Sequence, residues 1–172
     1  MDKMLLGFRD NMDFIRDIMV AILWALLISQ FIVAHTVVPS SSMVPTINVG
    51  DHMIINYLPC YYSNPVAGDI IIFRQGNINM VKRVIAVGGD IVDLEDGYVY
   101  VNGERLDELD YVREFGVTYP QSLVFPYKVP EDSYFVMGDN RLNSEDSRTF
   151  SSITRSQIFA TPMFKFRMEF LK

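Results

Sequence analysis

The sequence has 172 residues, 21 of them acidic and 15 basic, so its net charge is −6. This size predicts one main domain, and the acidic balance argues against nucleic acid as a partner, because nucleic-acid binders normally carry a basic face. One cysteine and two histidines exclude a disulfide framework and a structural zinc site of the Cys/His type. The mean hydropathy of +0.15 is high for a soluble protein and indicates a membrane segment.

Residues 18–38 form the predicted membrane segment. They read IMVAILWALLISQFIVAHTVV and contain no Asp, Glu, Lys or Arg. As a helix they would extend about 32 Å, close to one hydrocarbon core. A buried core helix is disfavoured because the stretch has no polar stripe. A cleaved signal peptide is also disfavoured, because the leader 1–17 is long and contains four aspartates. We therefore predict an uncleaved transmembrane anchor.

The basic residues around this stretch predict its orientation. Lys3, Arg9 and Arg16 precede it, and the next basic residue is Arg74. The positive-inside rule then places residues 1–17 in the cytoplasm and residues 39–172 on the extracytoplasmic face. Because that outer part is acidic, its contact with the lipid bilayer must be apolar.

Short β-branched runs separated by Gly, Pro and Asn follow the anchor. No segment here has helical periodicity over three turns, so we predict a mostly β domain, a folded-over antiparallel sheet or a partly closed barrel. Asn102-Gly103 after an alternating run predicts a type I′ hairpin. The predicted strands are 69–74, 80–87, 97–101, 133–137, 157–160 and 163–168.

Residues 107–132 interrupt this pattern. Their first part is acidic and their second part contains three prolines, at 120, 126 and 130. This composition is typical of a solvated loop, so we predict an insertion that leaves the sheet and returns to it.

Two segments combine unusual polar residues with apolar surroundings. Residues 39–46, PSSSMVPT, place a serine cluster between two prolines, which by itself indicates a turn. In residues 80–85, Lys82 and Arg83 interrupt an apolar strand, and strand alternation directs one of the two inward unless a bulge intervenes. A buried lysine loses its proton easily and can act as a general base. The alternative is a lysine that reaches solvent from the strand edge.

A third segment, residues 138–148, is dense in hydrogen-bonding side chains. Asp146 could pair with Arg148, and either Ser144 or Ser147 could orient another polar group; a polar turn is the alternative. A nucleophilic serine also needs a base. His35 lies in the predicted anchor, His52 is typical of a surface or turn histidine, and the sequence has no G-x-S-x-G elbow. Lys82 is the better base, which predicts Ser-Lys catalysis.

Taken together, these segments resemble the bacterial type I signal peptidases. The pieces that carry the resemblance are PSSSMVPT, GDHMIIN, GDIIIFR, VKRVIAVGGD and MGDNRLNSEDSR, in this order after one apolar span. The resemblance covers the anchor and most of residues 39–160, and it is to the short single-span form of Gram-positive bacteria. It implies a membrane-bound serine endopeptidase that cuts signal peptides from secreted preproteins, with no metal or cofactor.

The resemblance also assigns the catalytic residues. It implies that Ser42 is the nucleophile and Lys82 the general base. The Ser40 hydroxyl and the Ser42 backbone N–H would stabilise the oxyanion.

Supporting roles follow from the same resemblance. Ser144 would hydrogen-bond the Lys82 amine and fix its position, Asp146 and Arg148 would form an ion pair near the site, and Arg83 would make a structural contact. Ser151 stands where the family frequently has glycine.

Substrate recognition is also implied by the resemblance. Pockets that accept Ala at the residue before the cut, and at the third residue before it, would fall on Val38, Met43, Ile47 and Val81. The signal peptide would bind extended beside the Lys82 segment, which implies cleavage after an Ala-X-Ala site.

Three alternatives compete with this reading. A membrane-anchored β domain could bind peptides without cutting them. An inactive paralogue could regulate an active peptidase, although such a copy has no reason to keep all four site residues, Ser40, Ser42, Lys82 and Ser144. A self-cleaving Ser-Lys protease of the repressor type is disfavoured by the predicted anchor and the acidic charge.

Overall fold

The computed structural model describes residues 2–166. By its internal contacts the chain divides into two units, Met1–Ala34 and His35–Lys172. The first consists mainly of helix α1, Asp2–Phe31, in which all side chains from 12 to 28 are exposed. Within residues 2–166, no helix combines the length and the apolarity that crossing a membrane requires.

The predicted single helix over residues 18–38 is wrong at its C-terminal end. Helix α1 stops at Phe31, and residues Val33–Val37 form strand β1. The final part of the apolar stretch is rich in β-branched residues, which lose rotamer freedom in a helix and favour a strand. Strand β1 is the edge strand of the larger sheet, where it neighbours the strand His52–Asn56.

Strands are the main regular structure of the remaining described chain, which also has two four-residue helices and one 3₁₀ turn at 155–157. The strands are β2 (His52–Asn56), β3 (Ile70–Gln75), β4 (Ile78–Val87), β5 (Ile91–Glu95), β6 (Tyr98–Val101), β7 (Glu104–Arg105), β8 (Tyr127–Lys128), β9 (Ser133–Met137), β10 (Ile153–Thr154) and β11 (Ile158–Phe166), and the short helices are α2 (Pro59–Tyr62) and α3 (Ser147–Phe150).

These strands form two open sheets. The larger has the order β1-β2-β11-β3-β4-β9-β10, and the smaller has the order β7-β6-β5-β8. The prediction of a mostly β, antiparallel domain is confirmed. The prediction of a partly closed barrel is wrong, because in the described chain neither sheet closes. The smaller sheet instead covers one face of the larger one.

Two hydrophobic clusters lie on opposite faces of the central strands. Val84 and Val136 belong to one cluster, together with Phe73 of β3. Ile85 and Phe135, their neighbours in sequence, belong to the other cluster, which includes residues of β5 and β6. Strand alternation therefore sends successive residues of β4 and β9 into two cores. This double burial makes the central strands a rigid support for the loops that leave them.

Strand β11 joins two segments that were predicted as separate strands. It runs from Ile158 to Phe166, with a change of register between Pro162 and Phe164. Proline cannot donate to the ladder and is tolerated at such irregularities. Residues 167 and 168 of the second predicted strand lie outside the described residues.

The predicted hairpin at Asn102-Gly103 is confirmed. Val101 pairs with Glu104 across the turn, and both turn residues have positive φ, 54° and 82°. A two-residue turn of type I′ requires this backbone conformation.

The prediction that residues 107–132 form a solvated loop is wrong at several positions. The segment contains strand β8, and the side chains of Glu108, Val112, Thr118 and Val129 are buried. A buried carboxylate needs a partner, and Glu108 has an arginine described below. Part of this insertion is therefore packed structure.

Candidate active site

The serine turn, residues 39–46 between β1 and β2, is hydrogen-bonded to the loop that follows β9. The Asn140 backbone N–H donates to the Ser42 carbonyl oxygen at 3.0 Å, and the Asn140 side-chain amide donates to the Ser41 carbonyl oxygen at 3.1 Å. The Asn143 amide donates to the Ser41 hydroxyl at 2.8 Å. Two asparagines about 100 positions away in sequence thus hold the serine turn in place.

Lys82 lies next to Ser42. Its Nζ donates to Ser42 Oγ at 2.7 Å and to the Val81 carbonyl oxygen at 3.2 Å. Of the adjacent pair on β4, Lys82 is the residue turned inward, with 4% of its surface exposed. This rigid, doubly buried strand fixes where the amine lies.

The surroundings of Lys82 favour its neutral form. Burial lowers the pKa of the Lys82 amine, because desolvation penalises the charged state. The carboxylates of Asp146 and Glu145 act in the opposite direction and offset part of that shift. A neutral amine within hydrogen-bond distance of a hydroxyl can accept its proton.

The other residues predicted around the serine lie as follows. Ser40 Oγ is 3.5 Å from Ser42 Oγ. Val38, Met43 and Ile47 are buried, whereas Val81 is half-buried beside Lys82. The serine turn therefore rests on a largely apolar base.

Gly138 separates the serine turn from Ser144. A Cβ atom at position 138 would lie 2.5 Å from the Ser42 carbonyl oxygen and closer still to Ser144 Oγ. Only glycine fits between them. Ser144 Oγ is buried and has no hydrogen-bond partner among the described residues, so the hydrogen bond from Ser144 to Lys82 is not formed in this structure.

A buried ion pair supports Gly138. Arg148 donates to both carboxylate oxygens of Asp146, each at 2.8 Å, and both side chains are almost fully buried. Asp146 also accepts from the Gly138 backbone N–H at 3.1 Å. A bidentate pair of this kind has a well-defined geometry. It therefore fixes the backbone against which Ser42 packs.

Arg83, the other member of the pair on β4, is half-buried and holds the same loop at a second point. It donates to both carboxylate oxygens of Asp139, at 2.9 and 2.7 Å. Thr46 donates to the same carboxylate, and the Tyr111 ring lies 4.0 Å from the Arg83 guanidinium. In the described part of the chain, no group of three or more His, Cys, Asp and Glu side chains could hold a metal ion.

A protein-family model, described as signal peptidase, peptidase S26, matches residues 11–167. This chain belongs to that family. Signal peptidase I S of Bacillus subtilis strain 168 is 35% identical over 162 residues, which cover 90% of this chain and 88% of the relative. Signal peptidase I T of the same strain is 37% identical and covers 87% of this chain and 81% of its own length.

Proteins of two other organisms are also similar to this chain. Probable signal peptidase I-1 of the cyanobacterium Synechocystis is 35% identical and covers 87% of this chain and 79% of its own length. The crystal structure of a signal peptidase I from Enterococcus faecalis V583 is 28% identical, with a TM-score of 0.47, and covers 58% of this chain and 97% of its own.

In this member of the S26 family, one buried contact of the site loop was missed from sequence. Arg141 donates to both carboxylate oxygens of Glu108, to the Gly138 carbonyl oxygen at 2.9 Å and to the Thr118 hydroxyl at 3.2 Å. The polar density of residues 138–148 indicated that such contacts exist. Nothing in the acidic run around position 108 distinguishes Glu108 from its exposed neighbours.

Proposed function

We propose that this chain removes signal peptides from exported preproteins, with Ser42 as the nucleophile and Lys82 as the general base. The relatives reported above carry the name signal peptidase I, and the chain aligns with most of their length. The observation that carries the residue assignment is the 2.7 Å separation of Lys82 Nζ and Ser42 Oγ, combined with the burial of Lys82.

The reaction proceeds in two steps. Neutral Lys82 accepts the proton of Ser42 Oγ as that oxygen attacks the scissile carbonyl carbon. The Lys82 ammonium then gives the proton to the leaving amine, so the mature protein departs and the signal peptide remains as an ester on Ser42. In the second step Lys82 takes a proton from water, the resulting hydroxide attacks the ester, and Ser42 regains its hydrogen.

The oxyanion of both steps is stabilised by hydrogen-bond donors beside Ser42. Ser40 Oγ is 3.5 Å from Ser42 Oγ, so its hydroxyl reaches an oxygen bound to the attacked carbon, and the Ser42 backbone N–H is the second donor. Losing one such donor typically lowers the rate by about 10²–10³.

The substrate adds as an extended strand to the free edge of β4. On one side, β3 pairs with residues 78–83; on the other, the pairing with β9 begins only at Arg83. In the described chain, the Asn79–Lys82 stretch therefore has backbone groups open to a peptide. The buried Val38, Met43 and Ile47, with Val81, leave room only for small side chains, in line with an Ala-X-Ala site.

Ser144 positions the Lys82 amine. Its buried hydroxyl has no partner among the described residues, and buried hydroxyls normally have one. The neutral amine has one lone pair, which must face Ser42 to take its proton, so during the reaction an amine N–H donates to the Ser144 hydroxyl oxygen. Asp146, Arg148 and Arg83 keep the surrounding loop rigid.

The membrane is the site of this activity. Residues 18–31, the apolar part of α1, contain no charged side chain and attach the chain to the bilayer, with residues 1–17 in the cytoplasm and residues 39–172, together with strand β1, outside. Ser42 follows Phe31, the last residue of α1, by eleven residues, which keeps the nucleophile near the outer membrane surface. Holding enzyme and preprotein in one membrane raises their effective concentration.

The test is cleavage of a preprotein with an Ala-X-Ala site, incorporated in liposomes with the full chain. We expect the wild type to cut after the second Ala. The Ser42→Ala and Lys82→Met variants should fold but show no cleavage. Ser156→Ala and Lys128→Met, at exposed positions, are matched controls that keep wild-type rates. If the wild type binds the preprotein without cutting it, the chain is a peptide-binding domain and the proposal fails.

A further inference from the structure

Both histidines of the chain take part in one contact. They are His35 on β1 and His52 on β2, separated by 17 positions in sequence. His35 Nε2 is 2.8 Å from His52 Nδ1, and the two rings stack with their centroids 5.0 Å apart. His52, predicted as an ordinary surface or turn histidine, is the half-buried first residue of β2. The contact joins two neighbouring strands at the edge of the larger sheet.

A third ring fixes the orientation of the pair. Phe166 on β11 stacks on His52 with a centroid distance of 5.4 Å and lies 6.3 Å from His35. Three aromatic rings thus line up across three adjacent strands. One side of the pair stays open, because His35 is exposed and His52 is half-buried.

The charged residues that adjoin the three rings in sequence make contacts with other parts of the chain. Lys165 precedes Phe166, so strand alternation turns it to the opposite face, where its amine donates to the Thr46 carbonyl oxygen. Asp51 precedes His52, is buried and accepts from the Asn48 backbone N–H at 2.9 Å. On their own strands, no other titratable side chain accompanies the two imidazoles among the described residues.

We infer that His35 and His52 form an open, two-imidazole binding site for Cu²⁺. Two ligands about 2.0 Å from a metal and about 90° apart lie about 2.8 Å from each other, as cis ligands do in the square-planar geometry of Cu²⁺. The two ring nitrogens already have that separation, and the ion would replace the hydrogen bond that joins the two rings. Tetrahedral Zn²⁺ would require about 3.3 Å, so the pair must open to accept it.

The proton balance of binding is simple. Nε2 of His35 and Nδ1 of His52 each present a lone pair to the ion, so the ring hydrogens move to His35 Nδ1 and His52 Nε2. No proton is released from two neutral rings, whereas protonated rings must lose theirs first. Waters complete the coordination on the open side, which distinguishes this site from a closed structural zinc site.

A bound ion would connect β1 to β2. Strand β1 continues directly into Val38, whose backbone N–H and C=O bond to Asp51 and Gly50, and then into the serine turn. The ion therefore stabilises strand β1, which leads into the serine turn. A ligand that binds only the folded state raises the melting temperature in proportion to its affinity.

The experiment uses the full chain in detergent, with Cys60→Ser as the background. Cys60 is the single thiol, and a thiol can reduce Cu²⁺. During titration with Cu²⁺ we expect one ion per chain, an electron paramagnetic resonance spectrum with couplings to two imidazole nitrogens, and a higher melting temperature. His35→Gln and His52→Gln should each weaken binding by about tenfold or more, because each removes half of the protein ligands.

The control is Val37→Asn, an exposed change on the same strand, which should keep both the spectrum and the stabilisation. If a histidine variant unfolds, the corresponding Asn variant takes its place, and circular dichroism verifies the fold. The inference is wrong if either histidine variant binds Cu²⁺ as the parent does, or if the parent spectrum shows fewer than two imidazole nitrogens. Neither readout depends on peptidase activity.

Discussion

The buried amine of Lys82 couples the pH of the solution to the proposed catalysis. Burial lowers its pKa from the value of about 10.4 that is usual for lysine. The neutral form, which can take the Ser42 proton, is therefore populated at lower pH than in an exposed lysine. The rate should rise with pH and level off above the Lys82 pKa.

The measurement is kcat/KM for a preprotein as a function of pH. We expect its rising limb to have a midpoint clearly below about 10.4. Direct titration of the Lys82 amine by nuclear magnetic resonance in the Ser42→Ala variant should give a similarly lowered value. A midpoint at or above the usual lysine value would contradict the general-base role.

Ser151 adopts a backbone conformation that suits glycine. It follows helix α3 with φ 69° and ψ −168°, a region that residues with a Cβ atom rarely enter. We expect Ser151→Gly to raise the free energy of unfolding by about 1 kcal/mol, since relief of strain exceeds the added entropy of the unfolded chain.

Ser63 provides a matched control for that change. It follows helix α2 in the same way but has φ −139°, an extended conformation open to any residue. Ser63→Gly should lower the stability in the same thermal or denaturant unfolding experiment. Equal effects of the two substitutions would show that the strain at Ser151 is negligible.

At the scale of elements, the insertion 107–132 is attached to the site loop by a buried ion pair. The Glu108 and Arg141 side chains are 7% and 1% exposed. Removing one partner of such a pair leaves an uncompensated buried charge, which typically costs about 3–5 kcal/mol. We expect Glu108→Leu to destabilise the protein by this amount, and Arg141→Met added to it to recover most of the loss. The measurement is denaturant unfolding.

The exposed pair of Asp13 and Arg16 in helix α1 is the comparison. Asp13→Asn should leave the unfolding midpoint unchanged, because water already screens exposed charges. If Glu108→Leu also leaves the unfolding midpoint unchanged, the stability of the insertion does not depend on the ion pair of Glu108 and Arg141.

At the scale of the whole molecule, the apolar stretch and the net charge together predict how the chain binds lipid. With a net charge of −6, attraction to anionic lipid contributes little, so binding should be as strong on uncharged vesicles and insensitive to salt. Leu23→Arg introduces a charge within residues 18–38, where it costs about 2.5–3.5 kcal/mol. We expect this variant to sediment less with uncharged vesicles than the wild type.

Met12→Arg is the control for that experiment, because Met12 is an exposed residue of the same helix outside the apolar stretch. It should sediment as the wild type does. Equal vesicle binding by both variants would show that residues 18–38 do not attach the chain to the bilayer.

Local patterns predicted most of the strands and the segments that form the site. Runs of β-branched residues indicated β3, β4, β6 and β9, and Asn102-Gly103 indicated its turn, because these signals act over a few neighbouring residues. The serine cluster, the lysine within an apolar strand and the polar loop were also visible in sequence, since each is unusual for its surroundings.

The tertiary structure alone decided which residues meet. It buried Lys82 beside Ser42 and paired Arg83 with Asp139, selected Glu108 from an acidic run as the partner of Arg141, brought His35 to His52 and ended helix α1 at Phe31. Each of these outcomes depends on partners distant in the chain. Backbone preferences depend on near neighbours in sequence. Burial and pairing depend on the strands that pack against a residue, and these strands come from distant parts of the chain. Local sequence patterns therefore do not predict them.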